Sequence, residues 1–222
     1  ISDQQSENGA VLIDLGGATT NIAVYEEGDL QHVAVLPVGS VNITNDLAIG
    51  LKTDLDVAEK IKLDHAVAVP NVRKEKQDRL SVKIGKTTHE FETADIDMIV
   101  DARLEEIFEL VNKELKSIGR AAKLPGGAVL TGGGARMVGI DEYAKKALQL
   151  SARVGHMPEF AGMSDKVNTP DWATVIGLVL IDLEDSPAAH HGHDSRGHAS
   201  SSKLNIGGIA KKITGVVNKL RS

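Results

Sequence analysis

Apolar residues recur at two different spacings along this 222-residue chain. Near the start, Val11, Leu12 and Ile13 lead to Asp14 as a short apolar strand, Gly16 and Gly17 make a tight turn, and residues 21–25 alternate as a second strand. Gly28-Asp29 marks another turn and residues 30–37 read as a third strand, which predicts an antiparallel meander. The spacing then becomes helical. Ser40 is placed to cap a helix over 42–51, and Thr53 with Asp56 resembles a capping box that opens a helix over 54–64. Residues 81–84 and 88–91 flank Gly85-Lys86 as a hairpin. Thr93 is expected to cap a long amphipathic helix whose apolar positions run from Ile96 through Leu104, Phe108 and Leu115 to Ile118.

Pro125-Gly126-Gly127 ends that helix. Residues 128–131 form a short buried strand that enters Gly132-Gly133-Gly134 directly, followed by a helix over 140–150 and a strand over 153–157. Thr169-Pro170-Asp171 is a helix start, with residues 172–183 as its apolar helix. Residues 184–202, rich in Ala, His, Gly and Ser, read as a flexible linker. His190, His191, His193 and His198 fall there, and their spacing reads as linker composition rather than as a metal site. Residues 203–222 regain a stripe, with Leu204, Ile206, Ile209, Ile213, Val216, Val217 and Leu220 on one side.

Composition narrows this picture. Hydrophobic residues make up 41% of the chain but aromatics only 3%, so the core is aliphatic. With no cysteine, disulfides and thiolate metal sites are excluded and a reducing compartment is expected. No run approaches a membrane span, and the N-terminus lacks the pattern of a signal peptide. The chain lacks an initiator Met and enters its first strand almost at once, as expected of a processed, truncated or fragmentary product. Of the net charge of −6, residues 203–222 contribute +5 with no acid, leaving −11 on the rest. An acidic body disfavours general nucleic-acid binding, whereas the basic end calls for an anionic partner.

Two strand-to-glycine turns carry the candidate chemistry. Glycines at 16 and 17 let backbone amides approach an anion, the hydroxyls of Thr19 and Thr20 add donors, and Asp14 is placed to hold water around a divalent cation. Three consecutive glycines, Gly132 to Gly134, carry too much chain entropy for a spacer, so something flat or anionic is expected against that backbone. A single Gly-Gly turn is most often only a hairpin; two such turns a hundred residues apart form a constellation.

Together these turns resemble the second phosphate motif and the adenosine motif of the actin, Hsp70 and sugar-kinase ATPases. More narrowly, residues 39–48 (Gly-Ser-Val-Asn-Ile-Thr-Asn-Asp-Leu-Ala), 58–62 (Ala-Glu-Lys-Ile-Lys) and 102–107 (Ala-Arg-Leu-Glu-Glu-Ile), with the closing basic helix, resemble the C-terminal half of the FtsA family of actin-like bacterial cell-division proteins. The resemblance implies an α/β fold: an actin/Hsp70-like lobe with a ribonuclease H-like mixed sheet. Residues 9–38 and 124–183 would be subdomain 2A and 39–123 an inserted α+β subdomain 2B, followed by the linker and a membrane-targeting helix.

The same resemblance implies ATP and Mg²⁺ as ligands. Asp14 would lie near the metal through water, Gly16, Gly17, Thr19 and Thr20 near the phosphates, Gly132, Gly133 and Gly134 near adenosine, and Glu59 and Lys62 near the ribose and base. Without the resemblance, Glu59 and Lys62 read as a solvated i,i+3 ion pair. Arg103 would belong to the surface that receives the C-terminal tail of FtsZ; by itself it reads as a surface salt-bridge residue. Ala18 and Ser40 stand where the family commonly has glycine, and the first phosphate loop and catalytic half are absent, so at most slow ATPase activity is implied.

Ile206, Ile209, Lys211, Lys212, Ile213, Val216, Val217, Lys219, Leu220 and Arg221 would bind an anionic membrane, each basic residue adding roughly 1 kcal/mol. The protein implied is a peripheral one at the cytoplasmic face of the membrane and the division septum, self-assembling in actin-like fashion. Two alternatives remain: an actin-fold ATPase or small-molecule kinase lobe, and a PilM-like assembly protein, which the basic terminal helix disfavours.

Overall fold

A computed structural model describes residues 1–73, 78–85, 87–156 and 169–184. The histidine-rich linker, the basic terminal helix and Met157 of the expected last strand lie outside the described residues.

Residues Ile1–Gly155 form one compact unit. It opens with α1 (Asp3–Asn8), then β1 (Ala10–Leu15), β2 (Thr20–Glu26) and β3 (Asp29–Leu36). The chain next leaves the sheet through α2 (Ser40–Gly50), α3 (Leu55–His65), the hairpin β4 (Arg79–Ile84) and β5 (Thr87–Glu92), and the 25-residue α4 (Thr93–Ser117). It returns as β6 (Gly127–Thr131), α5 (Ile140–Leu148) and β7 (Ala152–Val154). The main sheet has the order β3-β2-β1-β6-β7, with β1 antiparallel to β2 but parallel to β6, while β4 and β5 make a separate two-stranded sheet. The mixed sheet and the segment inserted between β3 and β6 agree with the α/β reading of the sequence.

Alternation decides which face of β1 is buried. Val11, Ile13 and Leu15 enter the core with Ile22 and Val24 of β2, whereas Leu12 and Asp14 face the other way. All five residues of β6 are buried, as befits a strand with neighbours on both sides. Between α2 and α5, α4 buries Ile96, Val100, Leu104, Ile107, Phe108, Val111 and Leu115, the stripe that the periodicity predicts. Tyr143 of α5 packs its ring on Phe108 at 5.6 Å and donates its hydroxyl to the carbonyl of Asp101. Burial first, then the acids Asp101, Glu105 and Glu109, push the phenol far above its ordinary range, so the hydroxyl stays a donor.

Helix starts differ from the expected ones. Gly39, not Ser40, precedes α2, and its amide donates to Asn42 Oδ1, an asparagine reaching back as a capping-box residue does. Asp54 and Glu92 hold the N-cap positions of α3 and α4, so Thr53 and Thr93 do not cap; neither start has a side-chain cap bond. No apolar period predicts α1, because none of its six residues is buried. Ser2 and Gln5 form a complete capping box at its start, and Gln5 also donates to Gly126 O.

The second unit begins at His156. In it a 3-10 turn (Pro170–Trp172) leads into α6 (Ala173–Glu184), one residue later than the sequence suggests. No described helix is long and apolar enough to cross a membrane.

Candidate functional site

The register places Asp14 beside Thr131, so the two glycine turns leave the sheet side by side at the carboxyl ends of the parallel strands β1 and β6. Open α/β sheets bind ligands in this position, because turns there present backbone amides to a common crevice. The turns touch. A methyl placed on Gly132 would meet Asp14 Oδ1 at 2.2 Å and Leu15 O at 2.7 Å, and one on Gly134 would meet Leu15 O at 2.9 Å. Two of the three glycines are therefore required by the chain's own β1 rather than by a ligand. Gly133 faces open space, as does Gly17 in the other turn.

The first turn is braced from behind by α2. Ser40 N–H donates to Gly16 O at 2.9 Å and Val41 N–H to Gly17 O at 2.8 Å, which satisfies two otherwise orphan helix amides. Each carbonyl so held shares its peptide plane with the next amide, Gly17 N–H in one case and Ala18 N–H in the other. Among the described residues neither amide has a backbone acceptor, and Gly17 and Ala18 are both exposed. Consecutive outward amides of this kind make an anion-binding concavity.

The two threonines separate in role. Thr20 is fully buried and its hydroxyl donates to Val38 O at 2.8 Å, which commits its only proton. Expected near phosphate, Thr20 instead ties β2 to the residue that leads into α2. Thr19 is half-buried; its carbonyl accepts from Gly16 N–H and closes the turn.

Glu59 and Lys62 do form the i,i+3 pair, at 2.7 Å, with the Glu59 side chain 42% exposed but that of Lys62 only 10%. Lys62 Nζ also donates to Ser40 O at 3.3 Å, while Glu59 accepts from the Thr44 hydroxyl. The two residues thus grip the first turns of α2 from α3, close behind the first glycine turn. Partial burial opposes ionisation of Glu59, but the hydrogen bonds from Lys62 and Thr44 and the lysine charge outweigh it, leaving the carboxyl below its usual range. A lowered folded value gives stability that is complete above the unfolded carboxylate range and is lost as pH falls through the folded one. Glu59→Gln is accordingly expected to lower the urea midpoint at about pH 6 and to leave it nearly unchanged at about pH 3. Equal losses at both would remove the charge from the explanation.

Arg103 lies elsewhere, on the α2–α4 seam. Its guanidinium makes a two-point contact with Asp46 (Nε–Oδ2 2.5 Å, Nη2–Oδ1 2.9 Å) and pairs with Glu106 one turn on. The Asp46 hydrogen bonds, against some burial, raise its affinity for the proton further. At 20% exposed, Arg103 is first a fold-holding residue, and its immediate surroundings are acidic. Sequence reasoning missed Asp46, Gly39 and the Ser40 carbonyl; of these Gly39 alone, a small residue just before a helix, gives any local signal.

A family model described as cell division protein FtsA matches residues 11–177. Cell division protein FtsA of Neisseria meningitidis is 38% identical over 192 residues, covering 81% of this chain and 44% of the relative. That of Bacillus subtilis is 38% identical over 180 residues, covering 81% and 40% respectively. The chain thus spans less than half the length of these curated relatives. Among solved structures, MreB5 of Spiroplasma citri bound to ADP superposes with a TM-score of 0.60 at 20% identity, over 82% of this chain and 57% of that one. The PilM-PilN type IV pilus biogenesis complex gives 0.59 at 16% identity, over 81% and 47%. These likenesses establish the actin-like fold, and with a family match running from the first glycine turn to beyond the second, the chain belongs to the FtsA family of bacterial cell-division proteins.

Proposed function

We propose that this chain supplies one wall of an ATP·Mg²⁺ site that switches actin-like self-assembly, and that the assembly tethers FtsZ filaments to the cytoplasmic face of the membrane at the division septum. One observation carries the nucleotide reading. The two glycine turns, 115 residues apart from Gly17 to Gly132, meet at the ends of β1 and β6, with outward amides at Gly17 and Ala18 and an open face at Gly133. Phosphates would lie on the Gly17 and Ala18 amides, adenosine against Gly133, and Asp14 would hold the metal through water. The MreB5 structure bound to ADP supports this by fold alone. Adding tripolyphosphate with Mg²⁺ to the whole chain is expected to move the amide resonances of Gly17 and Ala18 first; unmoved resonances would refute the site.

Residues 203–222 are the proposed anchor. Five cations and no acid beside an apolar stripe suit an anionic leaflet, each cation contributing about 1 kcal/mol. The chain is expected to sediment with vesicles containing phosphatidylglycerol and to stay in the supernatant once residues 203–222 are deleted. If the truncated chain still sediments, the anchor lies elsewhere. For the FtsZ tail, the replaceable partner of Arg103 is Glu106, whose side chain is 53% exposed; an acidic residue of the tail would take its place while Asp46 stays bound.

A further inference from the structure

We infer that Arg73 is a positioning residue for the nucleoside side of the proposed site: it clasps a short strap, residues 66–73, that sets the distance between α3 and the second glycine turn. The strap leaves α3 after His65 and includes a 3-10 turn, Pro70–Val72. In its first half Val67 forms an isolated parallel bridge with Val138, and Ala68 N–H donates to Val138 O at 2.9 Å. Ala66, Val67 and Ala68 are all buried there. Val138 lies just past the second glycine turn, which runs as a 3-10 turn over Gly133–Arg136 before α5 begins at Ile140. Gly139 stands against the same strap. A methyl placed on it would meet Val72 Cγ2 at 3.0 Å and Val69 N at 3.4 Å.

Arg73 closes the strap on itself. Its Nη1 donates at 2.8 Å to the carbonyl of His65, the last residue of α3, and so satisfies one of the orphan acceptors of a helix end. Its Nη2 pairs with Asp97 of α4, and the two side chains are 15% and 18% exposed. A planar fork of donors holds both acceptors at once, which a single ammonium does less well. Ala68 is three residues past His65, at most about 10 Å of chain, so the Val138 bridge limits how far the end of α3 can stand from the exit of the glycine turn. The front of that turn is already fixed, because Asp14 and Leu15 lie against Gly132 and Gly134. The strap is what holds it from behind. A flat ligand against Gly133 would feel this gap closely, since an added 0.5–1 Å forfeits about a quarter to a half of each contact. Phosphates on the Gly17 and Ala18 amides depend instead on the Ser40 and Val41 amides that brace the first turn.

The inference rests on the proposed nucleotide reading and deepens it, and its test separates the two. Wild type and Arg73→Gln, both as the whole chain, are titrated with adenosine and, separately, with tripolyphosphate plus Mg²⁺. Arg73→Gln is expected to weaken adenosine about three- to tenfold and to leave tripolyphosphate within about twofold. In the free chain it is expected to speed hydrogen exchange of the Ala68 amide and to move the Gly133 amide resonance. Asp97→Asn is expected to cause the same selective loss, and the double variant to lose little more than either single one, because both break one clasp. Arg73→Lys, which keeps the ion pair, is expected to lie between wild type and Arg73→Gln. Equal losses for the two probes would overturn the inference, as would full additivity of Arg73→Gln and Asp97→Asn. A lower melting temperature with Ala68 exchange and adenosine affinity unchanged would leave Arg73 a purely structural residue and also overturn it. If wild type binds tripolyphosphate but not adenosine, the nucleoside placement fails and the inference with it; if it binds neither, the whole nucleotide reading fails. Should Arg73→Gln not fold, Arg73→Lys decides: it must weaken adenosine more than tripolyphosphate, and no difference between the probes refutes the clasp.

Discussion

Gly132→Ala is expected to destabilise the chain by about 3–5 kcal/mol, while Gly133→Ala stays within about 0.5 kcal/mol of wild type. The contrast follows from geometry at neighbouring residues. Gly132 has φ 83 and ψ 173, a region that is essentially closed to residues with a Cβ, and strain alone contributes about 1–3 kcal/mol. The new methyl would also overlap Asp14 Oδ1 and Leu15 O, and Leu15 is held at the end of β1 by its pairing with Thr20 of β2. Gly133 has an ordinary φ, and a methyl added there would have nothing within 4 Å, so alanine fits. Thermal unfolding checks the first expectation, as a fall of about 10 °C. If ligand approaches the open face of Gly133, its alanine variant keeps full stability but loses nucleotide affinity, which distinguishes a glycine required by the fold from one required by the ligand.

Arg103→Glu is expected to lower stability by about 2–4 kcal/mol, and Asp46→Arg added to it to recover most of that loss. In the single variant the introduced carboxylate would join those of Asp46 and Glu106 at a seam where only 27% of the Asp46 side chain reaches solvent. Reversing the pair restores attraction between α2 and α4 without restoring a cation on the α4 side. Urea unfolding of the four members of this cycle measures the coupling; a value near zero would show that the guanidinium contributes nothing to the seam. The same swapped chain separates fold from recognition, because it is expected to be folded yet to have lost any capture of an FtsZ tail peptide that depends on the cation at position 103.

Much of the fold was legible in the sequence because local periodicity and turn chemistry determine it. The alternation of Val11, Ile13 and Leu15, the helical stripe from Ile96 to Leu115 and the glycine hairpin at Gly85 each depend on residues within one element, and each is found where expected. Both glycine turns were equally visible, since runs of glycine at the end of an apolar strand stand out without any knowledge of what they face. Helix starts were less legible, because several neighbouring residues compete to cap them. Thr53 and Thr93 have the right residue type, but α3 is entered one residue later, through Asp54, and α4 one residue earlier, through Glu92.

Local sequence therefore specifies the set of elements, the two turns and the charge division between an acidic body and a basic end. Which groups the turns face is a matter of packing. Gly132 is a glycine because Asp14 and Leu15 lie against it, Thr20 commits its proton to Val38, Lys62 reaches back 22 residues to Ser40, and Arg103 reaches 57 residues to Asp46. Such partners are brought together by burying the apolar faces of β1, α2 and α4 in one core, and the register of that packing, not any local spacing, sets which polar atoms meet.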